Sequence, residues 1–475
     1  MEEGRCSKLK SDTLNFCHTF LSNHSTNDPV NVLWKVVKKN IETLISDHVP
    51  TKLSSSKTHK PWVTTKTKRL LRKKQRYYQK VKKHFSSRLL AKYKEVKKEC
   101  QRECRRAYSD FINSIVTEDQ PNNKKLWAFI KSKNQENVGI SDLRDESDNL
   151  IQDPVSKANI LNKQFCSVFS NPLPKIFLVG KIFTKKLPDM GKISICKNGV
   201  FTLLSHIKSN KAMGPDGIPG NILKMCAYEL APVYQLLFQA SIDQGTVPDD
   251  WKDASIVPLF KKGDKTKPEN YRPVSLTSIS GKLLEHIIHS NVMDHLDKHS
   301  FLNKYQHGFR QRRSCETQLI STLQDFSNCL NQKGQIDAIL LDFSKAFDKV
   351  DHEGLLSKLD EVGISGSLHQ WCRSFLLGRT QKVIVDGTSS STCPVQSGVP
   401  QGTVLGPLFF LIYINDITEH LSPGTMIRLF ADDSLLYRTI NSLEDVAILQ
   451  RDLDLLQSWE FTWKMEFHPQ KCHLE

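Results

Sequence analysis

The stretch RLFADDSLLYR, residues 428–438, sets Asp432 and Asp433 side by side between flanks apolar enough for an interior. An ionised carboxylate left unpaired in such surroundings costs several kcal/mol, and two adjacent ones repel each other as well. A third acid, Asp342, ends the run IDAILLD, in which Ile336 to Leu341 read as a buried strand. Taken singly, a strand-end aspartate reads as a helix cap, and aspartates at a turn are common. Three carboxylates on neighbouring strands are different, because each would raise the others' pKa values if nothing lay between them. Divalent cations remove that conflict. A pair of Mg2+ ions roughly 3.5–4 Å apart could activate an attacking hydroxyl and neutralise a leaving pyrophosphate. Oxygen-only ligands favour Mg2+ or Mn2+, with phosphates completing the shell. The chemistry implied is in-line nucleotidyl transfer, which also needs phosphate clamps, a base-pair platform and a check on the sugar.

Positioning these acids requires particular elements. MIRLFADDSLLYR predicts a β-hairpin with ADD at its tip, and the helical pattern after Asp342 begins near Ser344 and carries Phe347, Val350, Leu355, Leu356 and Leu359. Beyond Trp251, short β-like runs (ASIVPLF, DAILLDF, QKVIVDG) alternate with helical ones, which indicates an α/β or α+β domain. Upstream, Asp153 is placed to cap a helix with Pro154 at its first position. In AMGPDGIPG, the residues Gly214, Pro215 and Gly217 set a turn, with Asp216 expected to cap the helix that follows.

Residues 51–110 hold 21 Lys/Arg against 4 Asp/Glu, a net of +17 in a chain whose formal total is +16, so the other 415 residues are nearly neutral. A neutral body joined to one intensely basic segment suggests a polyanionic partner. From Leu70 to Ile115 the larger apolar residues recur every three to four positions, predicting a long amphipathic helix with Ser86 and Ser87 as the place for a break. Its charged face reads either as a solvated surface or as a phosphate-binding arm. Cys100 and Cys104, one turn apart, read as seam residues. The twelve cysteines form no C-x2-C pair, which argues for reduced thiols. The opening MEEGRCSKLK has no apolar core of a secretory signal, and the longest apolar run, VLGPLFFLIYI, is too short for a bilayer and contains Pro407. A nuclear or cytoplasmic location and no membrane partner are expected.

Seven blocks, in order, then carry a resemblance: KAMGPDGIPGNILK, ENYRPVSLTSISGKLLEHII, QHGFRQRRSCETQL, LLDFSKAFDKVDH, SGVPQGTVLGPLFFLIYIND, FADD and FHPQKC. From about residue 120 onward the sequence resembles the reverse transcriptase region of a non-LTR retrotransposon polyprotein of LINE type, jockey/CR1-like, and the basic region before it resembles that family's linker. The resemblance implies an α+β right-hand polymerase. Its parts would be a linker-like N-terminal region over 1–116, an N-terminal extension over 117–210, fingers over 211–335 and a palm over 336–475. It implies that Asp342 and Asp432 ligate metal most directly, with Asp433 in support. Phe347 matches the bulky residue that excludes a ribose 2′-hydroxyl. Gln401 and Gly402 match the block that supports the nascent base pair, and Arg272 matches the arginine that clamps the incoming triphosphate, with Lys261 or Lys262 assisting. Lys471 matches the lysine that protonates departing pyrophosphate, although His468 stands where the family more often has Asn.

The implied partners are an RNA template, a DNA primer or target, and dNTPs. The primer-grip hairpin and thumb helices of the family would follow Glu475, so the sequence is expected to be a fragment. The competing reading is a catalytically idle nucleic-acid-binding remnant that uses the basic helix. A group II intron or retron enzyme is disfavoured by GPDGIP with YRPVSL, and a viral RNA-dependent RNA polymerase by Phe347 and by FADD.

Overall fold

The computed structural model describes residues 3–50, 62–84, 86–116, 139–170, 186–419, 421–468 and 472–474. The chain forms two compact units, one of residues 1–49 with 140–475 and the other of residues 50–139. The first 49 residues thus join the larger unit rather than the basic segment with which the sequence reading grouped them.

In the larger unit the helices Glu3–Asn23 and Val30–His48 bury Leu9, Phe20, Leu33, Trp34, Val37 and Ile41 against the helix Ala227–Asp243. Trp34 also packs edge-on to Trp251, ring centroids 5.1 Å apart, and donates its indole N–H to Asp250 at 3.0 Å. Asp153 caps the helix Pro154–Cys166 as expected, accepting from the Ser156 amide at 2.8 Å. Asp216 does otherwise. The helix Gly220–Met225 starts without a side-chain cap, and Asp216 instead accepts the Ser278 hydroxyl at 2.6 Å, tying the GPDG turn to the residue that caps the helix Ile279–Lys298.

Eleven strands are described: β1 (Leu143–Arg144), β2 (Leu150–Ile151), β3 (Asp253–Phe260), β4 (Tyr271–Leu276), β5 (Gln335–Asp342), β6 (Thr380–Val385), β7 (Thr388–Ser389), β8 (Cys393–Pro394), β9 (Thr425–Phe430), β10 (Asp433–Ile440) and β11 (His473–Leu474). A short β1–β2 pair stands apart. One sheet has the order β4-β3-β6-β7, with β8 also on β6 and β3 parallel to β6; the other is antiparallel with the order β11-β5-β10-β9. In β9 burial alternates along every residue of TMIRLF, the period-two signature of a strand with one face on the core. The apolar run foreseen as too short for a membrane is the helix Leu405–Ile414, apolar all round and buried accordingly, with Pro407 in the first turn where its missing N–H costs nothing. Among the described residues no helix is long and apolar enough to cross a membrane. The sulfurs of Cys166 and Cys393 lie against each other, joining the end of the helix Pro154–Cys166 to β8.

In the smaller unit the basic segment is two helices, Thr65–Lys83 and Ser87–Val116, with the break where the serines lie. They run antiparallel: Trp62, before the first, packs on Tyr108 and Phe111 near the end of the second, while Tyr78 meets Tyr93 at the other end. Leu70, Val96 and Cys100 fill the seam, Cys100 as expected. Lys and Arg occupy the outer faces.

Candidate active site

Asp342 is the last residue of β5 and Asp433 the first of β10, and the two are direct cross-strand partners. Asp433 also pairs with Phe430 of β9, so Ala431 and Asp432 alone form the turn of the β9–β10 hairpin. Ala431 adopts φ = 55°, a left-handed conformation that usually favours glycine. The hairpin foreseen from alternation is therefore present, and its register brings the distant Asp342 to its tip. The three carboxylates are neighbours at one end of the sheet, Asp432 half-buried and Asp433 exposed. They do not converge into a closed cluster: among the described residues no three His, Cys, Asp or Glu side chains stand grouped to hold a metal ion.

Electrostatics at the turn fit a cation nonetheless. Burial pushes the Asp432 carboxyl above its usual range and the charge of Asp342 pushes it further, while its own amide and the charges of Arg272 and Lys261 pull it back. Hard oxygen donors whose like charges oppose each other suit Mg2+ or Mn2+. The charge of Lys261 reaches Asp432, and Lys262 is likewise exposed beside it in the β3–β4 connection. Arg272 lies on β4 opposite Leu259 of β3, its side chain exposed.

The end of β5 is fastened from the other side by the FHPQKC region. Ser344 donates its amide to Glu466 at 2.6 Å, His468 donates its amide to the Asp342 carbonyl at 2.7 Å, and Phe343 stacks on Phe467 with centroids 4.5 Å apart. Lys471 falls outside the described residues.

Phe347 stacks on Phe410, centroids 4.5 Å apart and planes at 17°, with Phe309 edge-on at 5.9 Å. The Pro400–Gln401–Gly402 turn is wedged between β4 and the residues after β5. The Gln401 carbonyl accepts the Ser275 amide at 2.9 Å, and its side chain donates to Asp348 at 3.3 Å. Gly402, at φ = 105°, would place a Cβ 2.8 Å from the Ser275 carbonyl oxygen, so the close approach requires glycine.

Several participants were not foreseen. Asp348, adjacent to Phe347, has its carboxyl pushed up to about 6 by burial, against the pull of Lys345 and the Gln401 bond. Glu285 accepts the amides of Val404 at 2.6 Å and Leu405 at 3.1 Å, holding the start of the helix Leu405–Ile414 immediately after the Gln401 turn. Lys358 is fully buried, paired with Asp416 at 2.7 Å and lying over the Trp463 ring at 3.5 Å, and burial drops its ammonium to about 8. In the sequence Glu285 sits in KLLEHII, where apolar periodicity explains the segment without it. Asp348 was hidden likewise by a helical pattern that accounted for its neighbours.

Residues 260–475 match the family described as "Reverse transcriptase (RNA-dependent DNA polymerase)". The RNA-directed DNA polymerase from mobile element jockey of Drosophila melanogaster is 32% identical over 282 residues, 58% of this chain and 31% of that protein. Its counterpart from Drosophila funebris is 31% identical over 278 residues, 57% of this chain and 30% of that one. The probable RNA-directed DNA polymerase from transposon BS of Drosophila melanogaster is 30% identical over 280 residues, 57% of this chain and 31% of that protein. The chain spans about a third of the length of these curated relatives.

Proposed function

We propose that this chain, whose residues 260–475 match the reverse transcriptase family, is a reverse transcriptase of a LINE-type retrotransposon and extends a DNA 3′-hydroxyl with dNTPs opposite an RNA template. The observation that carries this reading is the register at the turn: Asp432 beside the cross-strand pair Asp342 and Asp433, faced by the charges of Arg272 and Lys261. On this reading the chain is a right hand with fingers over 211–335 and palm over 336–475. The region 117–210 is then an N-terminal extension, and 1–116 a linker whose first 49 residues pack with the larger unit.

Asp342 and Asp432 would hold the divalent ions, with Asp433 supporting them, and two such ions would supply Lewis-acid activation of the 3′-hydroxyl and charge neutralisation at the phosphates. The chain's own groups do the rest. Arg272 grips the triphosphate as a planar multidentate donor, and Lys261 adds a point charge next to it. Phe347, held by stacking on Phe410, closes the space a ribose 2′-hydroxyl would need. Gln401, bonded to the Asp348 side chain, and Gly402, packed against the Ser275 backbone, support the new base pair. Lys471 donates the proton that pyrophosphate takes as it leaves.

A second reading, an idle nucleic-acid-binding remnant, draws on the basic hairpin, which needs no aspartate to bind phosphate. One experiment separates the two: dNTP incorporation and RNA binding are measured for the purified chain with a primed RNA template and Mg2+. The polymerase reading expects incorporation that Asp432→Asn lowers by several kcal/mol of transition-state stabilisation, about 10^3-fold, with RNA binding kept. Equal incorporation by both proteins overturns the site assignment, and binding without incorporation by either favours the remnant.

A further inference from the structure

We propose that Gln306 is a positioning residue for Asp432: its buried side-chain amide grips both backbone groups of Ala431 and so sets the direction in which Asp432 leaves the hairpin turn. The inference rests on the role proposed for Asp432 above.

The turn has reason to need a grip. Ala431 carries φ = 55°, a conformation that costs a non-glycine residue of the order of 1 kcal/mol and persists where the surroundings impose it. The two peptide planes flanking Ala431 end in its N–H and its C=O, and rotation of the second plane would re-aim Asp432. Gln306 Oε1 accepts the Ala431 N–H at 2.9 Å, while Gln306 Nε2 donates to the Ala431 carbonyl at 3.3 Å. Both planes are therefore held by a single amide, itself only 3% exposed. The same Oε1 also accepts the Gly308 N–H at 2.8 Å, which locks the side chain's own orientation.

The backbone around Gln306 is fixed as well. Tyr305 and His307 bracket Leu429 of β9: Leu429 donates to the Tyr305 carbonyl at 3.1 Å, and His307 donates to the Leu429 carbonyl at 2.9 Å. Gln306 thus forms a parallel bridge along the outer edge of β9. Gly308 lies against the turn so closely that a Cβ there would fall 2.1 Å from the Ala431 nitrogen. The QHGF segment accordingly acts as a cradle for the turn, with Gln306 supplying polarity and Gly308 supplying room.

Only an amide satisfies this geometry. Glutamate would set a second acceptor against the Ala431 carbonyl and bury a charge, and asparagine is one methylene too short to reach both groups. The test compares the full chain with its Gln306→Glu and Gln306→Asn variants. Three readouts are taken: amide hydrogen exchange over residues 428–438, affinity for Mn2+ alone by electron paramagnetic resonance, and kcat and KM for dNTP. Loss of the bond should speed Ala431 exchange about tenfold and weaken Mn2+ binding 10- to 100-fold, the usual effect of removing a ligand-orienting partner. kcat should fall while KM for dNTP stays within about twofold, since Arg272 stands on β4 and Lys261 in the β3–β4 connection. Gln306→Asn, uncharged and small, keeps the test available should Gln306→Glu misfold. Unchanged exchange and Mn2+ affinity in a folded Gln306→Asn protein overturn the proposal. Loosened exchange and weakened Mn2+ binding in a chain that incorporates no dNTP uphold it and count against the polymerase reading instead.

Discussion

Asp342 and Asp432 are few charges held by many bonds, whereas the helices Thr65–Lys83 and Ser87–Val116 carry eighteen Lys and Arg held by few. Around the aspartates, strand register, a cradled turn and the 466–468 segment fix each carboxylate from a separate direction. On the basic hairpin, ion pairs among the described residues join Lys66 to Glu103 and Arg106 to Asp110, with Lys66, Arg106 and Asp110 well exposed, and such pairs contribute little. The first helix has ten basic residues and no acid. A site built the first way should fail sharply when one supporting residue is removed; a surface built the second way should weaken by small, additive steps that salt can mimic. The difference suits two tasks, aligning reacting atoms and holding a long polyanion.

The largest effect is expected at Glu285. Its carboxyl is buried and raised by that burial, and it caps the helix that follows the Gln401 turn. Arg379, whose charge opposes that shift, is itself buried and driven down to about 10. Glu285→Leu strands two amides and leaves Arg379 with less compensation, so a loss of roughly 3–5 kcal/mol is expected in urea unfolding. Glu285→Gln keeps an acceptor oxygen for both amides and should cost clearly less. Equal losses would place the effect in packing rather than in the cap.

Asp348 sharpens the comparison through pH. Its carboxyl titrates at about 6 in the folded chain against an ordinary 3.8, so between those values the folded state holds a proton that the unfolded state has released. Stability from this group therefore falls as pH rises from about 4 to 6 and is level above that. Asp348→Asn removes the penalty and keeps an acceptor for Gln401. The variant should match the parent near pH 4 and exceed it by at most about 2–3 kcal/mol at pH 7, read from urea midpoints across the range. A constant difference at every pH would mean that Asp348 does not titrate in that window.

How much of this was legible beforehand depends on whether a residue's partners are near it in sequence. Asp432 and Asp433 stood out because a polar pair broke an apolar alternation, and Asp153 because a cap and its helix are neighbours. The break at Ser86 and Ser87 was visible; that the halves fold back on each other was not, since it rests on Trp62 meeting Tyr108 across 46 positions. Gln306 and Gly308 stood in the sequence only as part of the block QHGFRQRRSCETQL, and the turn that Gln306 grips lies 125 residues away at Ala431. The first 49 residues were grouped with the basic segment by order along the chain, although Trp34 and its neighbours pack on the helix Ala227–Asp243. Asp216 looked like a local cap because Ser278, its true partner, is 62 residues on. Local chemistry was readable, and tertiary partnership was not, apart from Asp342, which the sequence already set on a strand beside Asp432 and Asp433.

The smallest single effects should come from the basic hairpin, and their form matters more than their size. Lys73 and Arg76 are exposed and Lys74 half-exposed on the acid-free helix. If this face binds phosphates as a surface of independent charges, changing the three residues to Gln one after another should reduce the slope of log K against log salt by about 0.7 each for single-stranded RNA. Fluorescence anisotropy over a KCl series would measure this, with each step costing only a few-fold in affinity near physiological salt. The same steps should leave the urea midpoint of the larger unit unmoved, because these side chains belong to the other unit. Asp432→Asn, in turn, should leave the salt slope unchanged. If one lysine accounted for the whole slope, the hairpin would be a specific pocket rather than a diffuse surface, and the two charged regions would follow the same rule after all.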